Sequence, residues 1–276
     1  MRYRLKVAGS VMSVPPSTVT DMATLPNPLP RLASLGLELP AGRLVDETID
    51  GPWREPLLWL ADEQACVGDW AALREIAPQV GLLPVLLDLG GGQGGPEDWE
   101  LMPGEVSYPG DHDADEVLAE FWDEDPLEDE DWPGLAPSTA LTADPDERAA
   151  EVAGSLTDGR PWLKEPHLAL VPARRSADIP AAVGWSGPVN HEEDVARLCA
   201  VLRSWEDRFG IRVVALGFDH LTVSVAAPPA DLAEAEAVAA EHYAFCPYTV
   251  LVDTDDTLTS YAEKLVGERI WHFWWD

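Results

Sequence analysis

Cysteine is scarce in this chain: Cys66, Cys199 and Cys246 are the only three among 276 residues. They are too few and too scattered for a disulfide framework, and no Cys-x-x-Cys pair is present to begin a zinc site. A reducing, cytoplasmic setting is therefore expected. Basic residues are short as well, 18 against 50 acidic ones, for a formal net charge of −32. Such a surface repels nucleic-acid phosphates and anionic lipid, so neither nucleic acid nor membrane is expected as a partner. No apolar run approaches the length of a membrane span. The stretch from Val7 to Met12, behind Arg2, Arg4 and Lys6, is too short for a signal-peptide core. Residues 1–22 read as a disordered extension in which Met12 or Met22 is an alternative start.

Catalytic signatures are missing too. There is no Gly-x-Ser-x-Gly elbow, no kinase motif set, no dinucleotide fingerprint and no calcium-loop pattern. The run Gly90-Gly91-Gly92-Gln93-Gly94-Gly95 has no following Lys-Ser/Thr and leads into Pro96-Glu97-Asp98, which would repel a phosphate; it reads as a turn. No cofactor is expected. No internal repeat of fixed period is visible, which excludes solenoids and propellers.

What is present is 46% apolar residues, enough for a core without staples. The periodicities predict an α+β protein with a smaller α/β N-terminal lobe over residues 23–95 and a C-terminal lobe over residues 161–276. In the first, Leu35 to Pro40, Pro56 to Leu60 and Leu82 to Leu89 read as strands, and Asp69 to Ala77 as a helix with Trp70, Leu73 and Ala77 on one face. In the second, His167 to Pro172 is a strand, followed by a helix capped by Asn190 whose apolar face carries Val195, Leu198, Cys199, Leu202, Trp205 and Phe209. Gly210 ends that helix. Strands follow at Ile211 to Leu216 and Leu221 to Val225, then helices from Asp231 to Tyr243 and Thr257 to Val266, and a last strand from Arg269 to Asp276. The order β-α-β-β-α-α-β predicts a ferredoxin-like lobe with its terminal strand inside the sheet.

Between the lobes, residues 96–160 form an acidic, partly flexible linker or insert. Pro96 to Glu151 holds 20 acidic residues and one basic, Arg148; Asp111 to Asp131 holds 12 acids and no base. Its centre, Asp123, Glu124, Asp125, Glu128, Asp129, Glu130 and Asp131, is a self-repelling block that favours an extended chain. The interleaved Trp99, Tyr108, Phe121, Trp122 and Trp132 also suit a dock for a basic protein partner. The chain closes on Trp271-His272-Phe273-Trp274-Trp275-Asp276, where aromatic bodies of about 150–250 Å² each imply a core or a binding surface.

The stretch Glu241-His242-Tyr243-Ala244-Phe245-Cys246-Pro247, the closing Trp271 to Asp276, Trp205 to Gly210 and the Pro228-Pro229 turn together resemble the domain-of-unknown-function 4253 family of bacterial, often actinobacterial, proteins. The resemblance covers about 110 residues and implies a bacterial cytoplasmic setting without an activity. Where that family usually places Asp after Cys-Pro, this chain has Tyr248.

His242 and Cys246, four apart, can share a helix face as a thiolate–imidazole pair or as metal ligands. They equally suit a buried thiol and an imidazole at a helix end. A metal would need a third ligand, for which His272 or Asp276 is the nominee, and Asp276 is also a catalytic candidate. Trp185, Trp205, Trp271, Trp274 and Trp275 are candidates for an aromatic ligand pocket or, Trp205 aside, a partner surface, with core packing as the other reading. His191-Glu192-Glu193-Asp194 opens a helix with acids in its first turn, and without a second His four positions on it is not a zinc-protease motif. The expectation from these residues is a non-catalytic interaction module, immunity-like or antitoxin-like, using acidic and aromatic surface. An enzyme or metal protein built on His242 and Cys246, or a small-ligand sensor with a Trp-lined pocket, is the alternative. The oligomeric state stays open.

Overall fold

The computed structural model describes residues 26–124, 131–158, 163–251 and 257–275. Their strands form one seven-stranded mixed sheet: β1 (Gly42–Val45), β2 (Leu58–Gln64), β3 (Leu83–Asp88), β4 (Pro166–Val171), β5 (Arg212–Leu216), β6 (His220–Ser224) and β7 (Ile270–Trp274), in the spatial order β1-β2-β4-β3-β5-β6-β7. Helices α1 (Asp69–Ile76), α2 (Ala114–Glu124), α3 (Pro145–Thr157), α4 (Ile179–Val183), α5 (Val195–Phe209), α6 (Leu232–Phe245), α7 (Pro247–Val250) and α8 (Leu258–Leu265) complete the described elements longer than a 3-10 turn. The α+β expectation holds, and helices cover both faces. Residues of α2, α4, α5, α6 and α8 pack one cluster; residues of α1 and α3 pack the other.

The ferredoxin-like arrangement is not what the sheet adopts. That topology would seat β7 beside β4; instead β7 pairs with β6 at the sheet's edge, and β3 stands between β4 and β5. The cause lies in β3, whose six residues are all buried. A strand apolar on both faces needs neighbours and cover on both sides, which a central place supplies. Val85 and Leu87 go to one core cluster and Leu86 to the other, as the period of two dictates. The strands expected in the two lobes thus meet directly.

Three local expectations are also corrected. Leu35 to Pro40 is not a strand; the first strand begins at Gly42. The helix expected from Asn190 starts later, capped by Asp194, whose carboxylate accepts from the Ala196 amide at 3.0 Å. The acidic stretch holds two packed helices: Val117, Leu118, Phe121 and Trp122 of α2 and Ala149, Val152, Ala153 and Leu156 of α3 are buried. Their spacing is helical, and the acids between them occupy the solvent side. Other signals read as written. Gly210 adopts φ 61° at the end of α5, and a Cβ there would press on Leu141, Pro145 and Ala226. Asp231 caps α6, and Thr257 caps α8 in a reciprocal box with Ser260.

Candidate functional site

Strand parity divides the C-terminal aromatics. Trp271, Phe273 and Trp275 point into the larger core cluster, whereas His272 and Trp274 have the opposite parity. On the core side, α6 lays His242 against three rings: centroids lie 4.4 Å from Trp271, 4.9 Å from Phe273 and 5.1 Å from Trp205. Its Nδ1 is 2.9 Å from the Tyr261 hydroxyl of α8. Burial pushes the His242 pKa down to about 3, so the ring is neutral at pH 7.

Cys246 follows at the end of α6, fully buried, its thiol donating to the Trp274 carbonyl at 3.0 Å and lying 3.2 Å from Thr249 Oγ1. Burial pushes its pKa up to about 11 against the opposing pull of those hydrogen bonds, so it is a thiol at neutral pH. A nucleophilic cysteine needs a stabilised thiolate open to substrate, and this site supplies neither. The contacts at Cys246 instead clamp the end of β7, because Thr249 Oγ1 also accepts from the Trp274 amide at 3.1 Å.

His272 does not join the pair. It faces the other side of the sheet, with Nδ1 2.9 Å from Thr222 Oγ1 and its ring 5.5 Å from that of His220. Its pKa falls to about 4, chiefly through burial and secondarily through His220. Among the described residues no group of three His, Cys, Asp or Glu side chains can hold a metal ion. Asp276, Asp125, Glu128, Asp129 and Glu130 lie outside the described residues. Trp185, Trp271 and Trp275 are buried in the core and line no surface; Trp185 donates its indole N–H to the Gly217 carbonyl at 2.9 Å.

Among the buried charges, Glu241 is the one enclosed beside the aromatic cluster around His242. Glu241 is fully buried and accepts from Trp205 Nε1 at 2.7 Å, from the Ala136 amide at 2.6 Å and from both terminal nitrogens of Arg208 at 2.7 and 2.6 Å. Arg208 also donates to the Ala136 carbonyl at 2.7 Å. The network ties α5, α6 and the chain beyond α2 together, with every partner engaged. The signal that could have found Glu241 is its place in the largely apolar second half of α6, among Val238, Ala239, Ala240 and Tyr243, rather than with Glu234 and Glu236 near the start.

Of the four closing aromatics, Trp274 is the one that stays open. Its indole N–H donates to Asp219 Oδ2 at 3.1 Å, and its ring meets Tyr248 edge-on at 6.2 Å. Together with Phe121, Glu124, Asn190, His191, Tyr243, Ala244, Pro247 and Leu251 these two residues line a cavity of about 490 Å³ between α2, α6, α7 and the end of β7. Tyr248, Leu251 and Trp274 are 45%, 47% and 38% exposed. Pro247 breaks the helical run after Cys246 and starts α7, which carries Tyr248 and ends just before Leu251. A second cavity, of about 360 Å³, lies beside Arg175, Arg203 and Arg208. Each of those guanidiniums is engaged by a carboxylate: Arg175 by Glu206, Arg203 by Asp178, Arg208 by Glu241.

Residues 167–276 match the family model described as Domain of unknown function (DUF4253), the segment that holds the His242, Cys246 and Trp271–Trp275 motifs. No curated protein and no solved structure matches the chain. The matched segment supplies the floor of the larger cavity, from Asn190 to Trp274, and α2 lies outside it.

Proposed function

We propose that the protein is a non-catalytic interaction module whose groove between α2, α6, α7 and the end of β7 seats a segment of a basic partner protein. The observation that carries this reading is the grouping of Tyr248, Leu251 and Trp274, all exposed, on one cavity, while the thiol and imidazole that chemistry would use are sealed. Exposed aromatic and aliphatic side chains gathered at a concavity are the anatomy of a binding surface. The net charge of −32 favours encounter with a cationic partner and disfavours anionic ones. An antitoxin-like or immunity-like role, blocking a basic target, is consistent with both features.

A small-ligand sensor is the second reading, favoured by the cavity volume, which lies within the roughly 300–1,000 Å³ of small-molecule sites. Affinity capture with the wild type and a Tyr248→Ala/Trp274→Ala variant tests the first. A basic protein retained at low salt by the wild type and lost from the variant supports it. Partners held equally by both remove it. A change in tryptophan emission on adding a small aromatic ligand, absent in the same variant, would favour the sensor instead.

A further inference from the structure

Helix α2 differs from α1, α5 and α8, whose last turns each carry a basic residue, Arg74, Arg208 and Lys264. Its last turn carries Asp123 and Glu124 and no basic residue, so two carboxylates sit at the negative end of the helix dipole, where cations are favoured. One turn earlier Glu120 is neutralised by Arg197 at 2.6 Å; neither Asp123 nor Glu124 pairs with a cation among the described residues. Glu124 is also the one carboxylate among the described residues lining the groove. It stands three positions after Phe121 and so shares its face. Phe121 is held in place by the His191 ring at 4.9 Å and the Arg197 guanidinium at 5.0 Å. A local conflict with no compensating cation among the described residues, beside an open apolar floor, is where a partner's charge would be accommodated.

We propose that Glu124, reinforced by the charge of Asp123 beside it at the end of α2, is the selectivity wall of the groove. The occupant is a protein segment that lays an aromatic or aliphatic anchor on Tyr248, Leu251 and Trp274 and sets an arginine or lysine against Glu124, where its charge complements both the carboxylates and the end of the helix dipole. The floor comes from the segment matched to the family and the wall from outside it, so the wall can change without altering the floor. The inference rests on the groove being the binding surface.

Selection from a library of short random peptides tests it, using the full-length wild type, Asp123→Lys/Glu124→Lys and Tyr248→Ala/Trp274→Ala as baits, with circular dichroism confirming that each bait is folded. The wild type should enrich peptides that place Arg or Lys beside an apolar anchor. The charge reversal should enrich Asp or Glu beside the same anchors and bind the wild-type peptides about tenfold or more weakly, a loss of about 1.4 kcal/mol. Glu124→Gln, which keeps the shape of the wall, should give an intermediate loss. Identical peptides from wild type and reversal, both lost from the floor variant, overturn the selectivity wall and leave the groove standing. Peptides retained by all three baits, or no enrichment by the wild type, overturn both.

Discussion

Two neighbouring tryptophans make the clearest contrast in the molecule. Trp275 and Trp274 are adjacent in sequence, yet one is 1% exposed and sealed in the core, and the other is 38% exposed at the rim of a groove. The contrast extends to what surrounds them. On the core side the polar atoms of Glu241 and Arg208 are enclosed and matched; Glu124 at the groove, and Asp123 beside it, are exposed and meet no cation among the described residues. Enclosed and matched groups hold a fold together, whereas open and unmatched ones are what remains for a partner.

The contrast can be broken from the core side most easily. Glu241→Ala removes the carboxylate and leaves the Arg208 guanidinium without its ion pair; it should destabilise by about 3–5 kcal/mol, read from the urea midpoint. Trp271→Ala opens a cavity among Trp205, Phe209 and His242 and should cost about 3–5 kcal/mol as well. If either variant keeps the wild-type midpoint, the core side is not what supports the fold.

Acid provides a graded test. The His242 pKa is depressed in the folded state, from 6.5 to about 3. In that window the unfolded chain binds a proton that the folded chain refuses, so the stability contributed by the neutral ring is complete above 6.5 and declines as pH falls toward 3. The slope is at most about 1.4 kcal/mol per pH unit for this residue. His242→Phe should flatten the dependence of stability on pH over this range relative to wild type; an unchanged slope would show that the ring is not enclosed. The smallest effect belongs to the groove. Trp274→Ala should change stability by about 1 kcal/mol or less, through loss of its bond to Asp219, while abolishing partner binding. Labelling with iodoacetamide completes the comparison: native protein should react at the exposed Cys66 and spare the buried Cys199 and Cys246 until it is unfolded.

Much of the element order was legible because its signals are local. Gly210, Asp231 and Thr257 sit at helix ends for reasons contained within a few residues. The apolar face of α5, from Val195 to Phe209, is buried as its period implies. The sheet order was not legible, because the pairing of Leu86 with Ala215 joins segments far apart in the chain and no turn chemistry announces it. Helix α2 was hidden by its own charge: the acids that suggested an extended linker are interleaved with Val117, Leu118, Phe121 and Trp122 at helical spacing. At the site, the four closing aromatics were conspicuous, but whether each faces core or solvent depends on strand register, and that is set by β6. His242 and Cys246 had the right spacing for chemistry, but spacing says nothing about the rings and carbonyls that enclose them.

The central seat of β3 bears on how the protein comes into being. Strand β5 finds one of its neighbours in a stretch that leaves the ribosome long before it, and β4 pairs back onto the same stretch. Residues 83–88 are thus a template that waits, apolar on both faces, while the acidic middle of the chain and then the C-terminal half are synthesised. Until β4 and β5 arrive, that strand has two unfilled edges of the kind that pair with the wrong chain. The long-range closure that ends this exposure is the slow kind of contact, and the stretch between, from Pro96 to Glu151, carries a surplus of negative charge, which opposes close approach of two copies.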